Sequence, residues 1–308
     1  MIGIDIGGAN LKVVDDAGVH IHYCPLWQGA PLAELLEPYA EPAAVVMSGE
    51  LADCFVSKIE GIRWIVEAVQ ETVRDAAFYG TDAAFHTRPV PDLAAANWLA
   101  SADYLREEYP DAVLLDVGST TADVTPLNNF EELKGLTDTR RLQKRYLVYT
   151  GMLRTNVATI LSSATLDGTV TPVSTEYFAA SADAHLVLGH ITPEDYTCPA
   201  PDNGEKTVDA ALRRLARVVC ADIDEIGSSG AVQVARQFWE AQRTLVVRAV
   251  GRALFQSGAE QVITAGIGAD LFARELGGIT LNQEIGAVSD ALPAYAVREV
   301  ALRQRDCD

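Results

Sequence analysis

The chain has 308 residues, 49% of them hydrophobic and 22% charged, with a formal net charge of −19 and an isoelectric point near 4.6. That is long enough for two domains with sizeable cores, in an ordinary soluble globular composition. The acidic excess argues against nucleic acid or anionic membrane as a partner, because phosphate backbones need a basic footprint, and no run approaches the roughly 18 apolar residues of a membrane helix. Any phosphate site must therefore be local, built from backbone donors, a metal and a few cations. The first residues read as a strand, not as a leader segment. Five cysteines (Cys24, Cys54, Cys198, Cys220 and Cys307) form no C-x-x-C pair, which fits a reduced cytoplasmic protein with thiols as filler.

Ile2, Ile4 and Ile6 alternate with Gly3 and Asp5, the period-two pattern of a strand. Gly7-Gly8-Ala9-Asn10 supplies a tight turn, and Lys12-Val13-Val14 begins the return. Val19 to Tyr23 completes a meander; its His20 and His22 share one face but have no third metal ligand in view, so they read as a surface pair. After a loop and a short helix near residues 32–36, Ala43 to Met47 suits a buried parallel strand. Ser48-Gly49-Glu50 follows at its carboxyl end, where open α/β sheets place their ligands. Gly61 is expected to precede a helix with Ile62, Ile65, Val66 and Val69 inward. A strand near 83–87 and a helix over 92–108 close the first half at Tyr109-Pro110-Asp111.

The second half opens on AVLLDVGSTTADVTPL, which repeats the opening grammar: an apolar strand, Asp116, the turn Gly118-Ser119-Thr120-Thr121, then Asp123. One glycine turn is a weak signal, and two in one chain are a stronger one. A polar excursion follows, returning as a strand at 146–149. Thr150-Gly151 and Arg154-Thr155 come next, then a short helix over 156–163 and a strand over 166–174. Thr207 is expected to cap a helix with Val208, Leu212, Leu215 and Val219 buried. A long helix after Gly230 should turn Phe238, Ala241, Leu245 and Ala249 inward. The strand Gln261–Ala265 runs into Gly266-Ile267-Gly268, and a helix over 290–303 ends the chain. Strand–helix alternation after each hairpin indicates two similar α/β domains facing each other across a cleft.

Ile4 to Asn10, Leu115 to Asp123 and Thr264 to Gly268 resemble the two phosphate motifs and the adenosine-side motif of the sugar kinase/Hsp70/actin superfamily. The resemblance implies two ribonuclease-H-like domains, residues 1–110 and 111–308. Met47 to Asp53, Lys58 to Gly61, Tyr149 to Thr155 and Ala210 to Arg217 are similar to the hydantoinase/oxoprolinase-related branch. Within it they are most similar to the archaeal methanofuran-biosynthesis ether synthases, a family linked to the tetrahydromethanopterin one-carbon pathway. That implies condensation of γ-glutamyltyramine with (5-aminomethylfuran-3-yl)methyl diphosphate, Mg²⁺-assisted release of diphosphate, and small-molecule substrates as partners, with an oligomer left open. ATP is not expected on that reading.

Such a reaction must hold a diphosphate, neutralise it as it leaves and activate a phenol. Asp5 and Asp116 suit Mg²⁺. The backbone N–H groups of Gly7, Gly8, Ala9, Gly118, Ser119 and Thr120, with Asn10, the hydroxyls of Thr120 and Thr121 and the cation Arg154, suit diphosphate. Glu50, Asp123 and Lys12 are the candidate catalytic groups, Glu50 ranking first as base. Lys58, Thr150, Gly151, Gly266 and Gly268 are assigned to substrate contacts. Two other functions stay open on the same fold: an ATP-dependent kinase or amide-ring hydrolase, and a partner-dependent ATPase.

Overall fold

A computed structural model describes residues 1–39 and 41–307. Its first sheet takes six strands: β1 (Ile2–Ile6), β2 (Asn10–Val14), β3 (Val19–Tyr23), β4 (Ala43–Met47), β5 (Ala76–Tyr79) and β6 (Phe85–His86). They lie in the order β3-β2-β1-β4-β5-β6. The β1–β2–β3 meander is antiparallel, whereas β4 and β5 run parallel to β1. The parallel strands are buried on both faces, which is why AAVVM reads as an unbroken apolar run.

The second sheet repeats this plan. Strands β7 (Ala112–Val117), β8 (Ala122–Pro126) and β9 (Leu147–Val148) form the meander. A separate hairpin of β10 (Ser163–Leu166) and β11 (Thr169–Pro172) intervenes before β12 (Gln261–Ala265) and β13 (Ile279–Thr280). The order is β13-β12-β7-β8-β9, with β12 parallel to β7 and to β13. Meander first, then parallel strands added beside its first member, is the ribonuclease-H-like plan in both sheets. The register carries the duplication down to single residues: Asp5 faces Lys12 across β1–β2, and Asp116 faces Asp123 across β7–β8.

The helices Asn97–Leu105 and Leu292–Cys307 pack on each other and against the first sheet, and one hydrophobic cluster runs from Val46 and Leu99 through Leu114 and Val297. A second cluster covers the other face of the first sheet, joining Ile4 and Val45 to Ile65 and Val69. The insertion between β9 and β12 has its own core around Leu215, Val234 and Phe238.

Several expectations shift. The helix predicted after Gly61 begins at Lys58, capped by the Ser57 side chain. Gly61 lies in its first turn because a Cβ there would stand 2.1 Å from the Glu50 carbonyl oxygen. The 92–108 helix is a 3-10 turn at Pro91–Leu93 followed by Asn97–Leu105. The 166–174 strand is the β10–β11 hairpin, turned by Asp167 and Gly168 at positive φ. The helical stretch Ile223–Ser257 is broken by a kink at Gly227 (φ 65°); beyond it the long helix faces inward with Gln242, Val246 and Ala249, while Leu245 is exposed, as is Val208 on the preceding helix. Cys24, Cys54, Cys198 and Cys220 are free thiols, although Cys54 and Cys220 are exposed instead of filling a core. The side chain of Cys307 lies outside the described residues.

A candidate active site between two duplicated turns

Each turn closes on itself through its leading glycine. Gly7 N–H donates to the Asn10 carbonyl at 2.9 Å, and Gly118 N–H donates to the Thr121 carbonyl at the same distance. These two N–H groups, expected as phosphate donors, are therefore spent in building the turn. The phosphate assignment there rests on Gly8, Ala9, Ser119 and Thr120, all half-buried with Asn10 and Thr121.

Behind the turns the carboxylates crowd. Burial pushes Asp5 up to about 6, with Lys12 opposing the shift and Asp123 adding to it. Burial also pushes Asp116 up to about 7, helped by repulsion from Asp123 and Asp5 and opposed by Lys12. Asp5 is 5% exposed, and its Oδ1 is buried without a hydrogen-bond partner. Lys12 donates instead to the Asp290 carbonyl oxygen at 2.7 Å, joining the first hairpin to the segment before the last helix. An orphaned carboxylate oxygen among mutually repelling acids fits a cation. Among the described residues no three His, Cys, Asp or Glu side chains gather closely enough for an all-protein metal cage. One or two carboxylates completed by water and phosphate oxygens is the arrangement Mg²⁺ ordinarily takes.

The two candidate bases differ. Glu50 is 1% exposed, its Oε2 has no partner, and burial holds its carboxyl above the usual range despite Lys58 at 3.6 Å. Asp123 is tied to the Arg141 guanidinium, which also donates to Asp138 at 3.0 Å and lies 4.2 Å over the Trp98 ring. The free-base assignment of Asp123 is thus displaced by an ion pair. Arg141 carried no motif signal; it sits in a charged stretch, TDTRRLQKR, that reads as solvated surface. Lys58, assigned to a substrate carboxylate, faces Glu50.

The Thr150–Thr155 loop folds onto the second turn: Met152 N–H donates to Gly118, and Leu153 and Arg154 N–H donate to Ser119, each at 3.0 Å. Its backbone is held from behind. Gln242 Nε2 donates to Thr150 Oγ1 and to the Gly151 carbonyl, both at 2.9 Å, while Gly151 N–H donates to Thr155 Oγ1. A Cβ on Gly151 would meet the Thr120 nitrogen at 2.5 Å. The Thr150 hydroxyl and both polar backbone groups of Gly151 are therefore engaged in supporting the turn. Gly266 and Gly268 are likewise packed against the end of β7. Gly266 adopts φ 79° beside Asp116, and Gly268 N–H donates to the Val117 carbonyl. Their assigned substrate contact gives way to holding β12 and its helix against Asp116.

Above the turns lies a cavity of about 230 Å³ that sequence reasoning located only in part. Ala9 and Asn10 line it from the first turn, Ser119 and Arg154 from the second. Its remaining walls include Tyr23, Trp27, Tyr177 and Cys198, and none of the lining residues is a carboxylate. The Arg154 guanidinium makes no ion pair among the described residues. It lies 4.8 Å over the Trp27 ring. The aromatic walls carried no sequence signal because Tyr23 ends β3, Trp27 sits in the 3-10 helix Leu26–Gln28 and Tyr177 lies in a distant loop, so only tertiary packing brings them together.

The family described as hydantoinase/oxoprolinase matches residues 41–285. A protein of Methanocaldococcus jannaschii named (4-{4-[2-(gamma-L-glutamylamino)ethyl]phenoxymethyl}furan-2-yl)methanamine synthase is 34% identical over 99% of this chain and 98% of its own. A Methanococcus vannielii protein of the same name is 30% identical over 58% of this chain and 81% of its own. Among solved structures, a non-polymerising MamK mutant bound to AMPPNP aligns over 97% of this chain and 98% of its own, at 12% identity and a TM-score of 0.41.

Proposed function

The chain belongs to the hydantoinase/oxoprolinase family, and on that premise we propose that it is the ether-forming synthase of methanofuran biosynthesis for which its relatives are named. The phenol oxygen of γ-glutamyltyramine attacks the methylene carbon of (5-aminomethylfuran-3-yl)methyl diphosphate. The carbon–oxygen bond to diphosphate breaks, its electron pair leaves with the diphosphate, and the phenol proton passes to a base. Beyond the relatives, one geometric observation carries the reading. An arginine without an acidic partner stands beside two half-buried turns in an aromatic-walled cavity, an anion seat joined to ring-binding surface.

Arg154 and the amides of Gly8, Ala9, Ser119 and Thr120 bind the diphosphate between the turns, donors fixed before charge develops. Asp5 and Asp116 hold Mg²⁺, which when bound neutralises charge on the leaving diphosphate. Tyr23 and Tyr177 offer faces to the furan and phenol rings. Since no carboxylate lines the cavity, the proton goes to an acid at the strand ends. We assign that role to Glu50, whose Oε2 is unpartnered, whereas Asp123 is engaged by Arg141. The phenol, with an ordinary pKa near 10, needs such an acceptor.

The test supplies both substrates with Mg²⁺ and follows diphosphate and ether product. Diphosphate release that depends on the phenol is expected. Absence of both products from folded protein refutes the assignment.

A further inference from the structure

The two turns recruit their neighbouring segments in the same way, and the two recruits meet. In the first half, the Gly8 and Ala9 carbonyls accept from Leu26 N–H at 3.0 Å and Cys24 N–H at 2.9 Å. This fixes the 3-10 helix Leu26–Gln28 beside the first turn. In the second half, the Gly118 and Ser119 carbonyls hold Met152 to Arg154 beside the second turn. Trp27 projects from one recruit and Arg154 from the other; both line the cavity, and the guanidinium carbon lies 4.8 Å from the centre of the indole ring.

We infer that Trp27 is a positioning residue that holds the Arg154 guanidinium ready for a diphosphate ester bridging the two turns. An unheld arginine samples many rotamers on its flexible stem. Stacking removes that freedom. It uses the face of the planar guanidinium and leaves the edge N–H groups free, and those edge donors match phosphate oxygens bidentately. Face to indole and edge to phosphate do not compete. Because the two anchors sit on different turns, the same stack sets how far apart the turns stand when an anion arrives.

The inference rests on the reading that this cavity takes a diphosphate. Its experiment titrates the full chain with inorganic diphosphate in the presence of Mg²⁺, by calorimetry, alongside steady-state kinetics. Trp27→Ala is expected to weaken diphosphate binding about tenfold, the factor a partly desolvated cation–π contact is worth. Trp27→Phe, which keeps an aromatic face, should stay within about threefold of the parent. Arg154→Lys keeps the charge but loses the plane, and should lose about as much as Trp27→Ala. In kinetics the loss should appear in kcat/KM for the diphosphate ester, with Trp27→Phe close to the parent.

A folded Trp27→Ala chain that binds diphosphate as well as the parent overturns the inference and leaves the proposed function standing. A parent chain that binds no diphosphate overturns both. Should Trp27→Ala fail to fold, Arg154→Lys decides: unchanged binding there overturns the positioning role, and weakened binding with intact charge supports it.

Discussion

The buried relay behind the second turn makes a quantitative prediction about acid. Gln242 Nε2 faces two oxygens, one of them the Gly151 carbonyl, which can only accept; its Oε1 must therefore face His185 Nε2, at 2.9 Å. That fixes His185 as neutral with the proton on Nε2, accepting at Nδ1 from His190 Nδ1 at 3.0 Å. Burial, with the nearby His190 adding to it, lowers His185 from 6.5 to about 3. Between those values the unfolded chain binds a proton that the folded chain refuses. The contribution is full above pH 6.5 and is lost as pH falls, by about 1.4 kcal/mol per unit. At pH 5 the loss is about 2 kcal/mol, or about 4 °C in Tm for a chain of this size. Asp5 and Asp116, with raised values, act in the opposite sense, so the whole-protein profile mixes both signs. Comparing the parent with His185→Gln by thermal unfolding from pH 7 to pH 5 isolates the histidine. The parent should lose about 2 kcal/mol more than the variant over that range. Parallel profiles refute the assignment of a buried neutral imidazole.

Other perturbations have equally definite outcomes. Asp5 rises from 3.8 to about 6, so its cost is absent below pH 3.8 and complete as pH rises past 6. Asp5→Asn should therefore stabilise the metal-free chain at pH 8 by about 1–2 kcal/mol in denaturant titrations, after discounting the burial of the amide. The same variant should lose the rise in Tm that Mg²⁺ gives the parent, and chelation should erase that rise in the parent. Glu50→Gln should lower kcat by about 10²-fold or more while leaving diphosphate affinity in calorimetry unchanged. Gly151→Ala should cost about 1–3 kcal/mol, since its Cβ must displace the Thr120 backbone; an unchanged unfolding midpoint would show that the loop is not packed there.

The legible parts of this chain were those written in local pattern. The period-two run at Ile2–Ile6, the two glycine turns and the apolar run at Ala43–Met47 all fell where the sequence placed them. Helix phase was harder. In the long helix Ile223–Ser257 the buried face includes Gln242, a polar residue whose partners lie 92 positions away, so no periodicity scan would turn it inward. The Ser181–Val187 helix was unread because its buried face carries Asp183 and His185, satisfied by Arg214 and Gln242. At the site, the turn residues were readable as a motif. What each backbone group does was not: Gly7 and Gly118 N–H are consumed by their own turns, and Gly151 by its own loop. Trp27, Tyr177 and Arg141 join the site only through tertiary packing.

The duplication also explains why the two halves do different work. At matched register positions the first hairpin pairs Asp5 with Lys12, and the second pairs Asp116 with Asp123. The first pair is neutral as it stands; the second is two like charges on neighbouring strands, an arrangement that destabilises a sheet on its own. The chain offsets half of that excess from outside the sheet. Arg141, on the helix Asp138–Lys144 inserted between β8 and β9, takes Asp123 and is itself steadied by Trp98 and Asp138. Nothing comparable reaches Asp116. Burial chiefly raises its carboxyl, with repulsion from Asp123, Asp5 and Asp290 adding and Lys12 opposing. With Asp123 taken by Arg141, the strain that is left falls on Asp5 and Asp116, both buried and repelling, with Lys12 opposing the shift of each. On the proposed reading, a divalent cation would bind there, between Asp5 and Asp116, and water and phosphate oxygens would supply its other ligands.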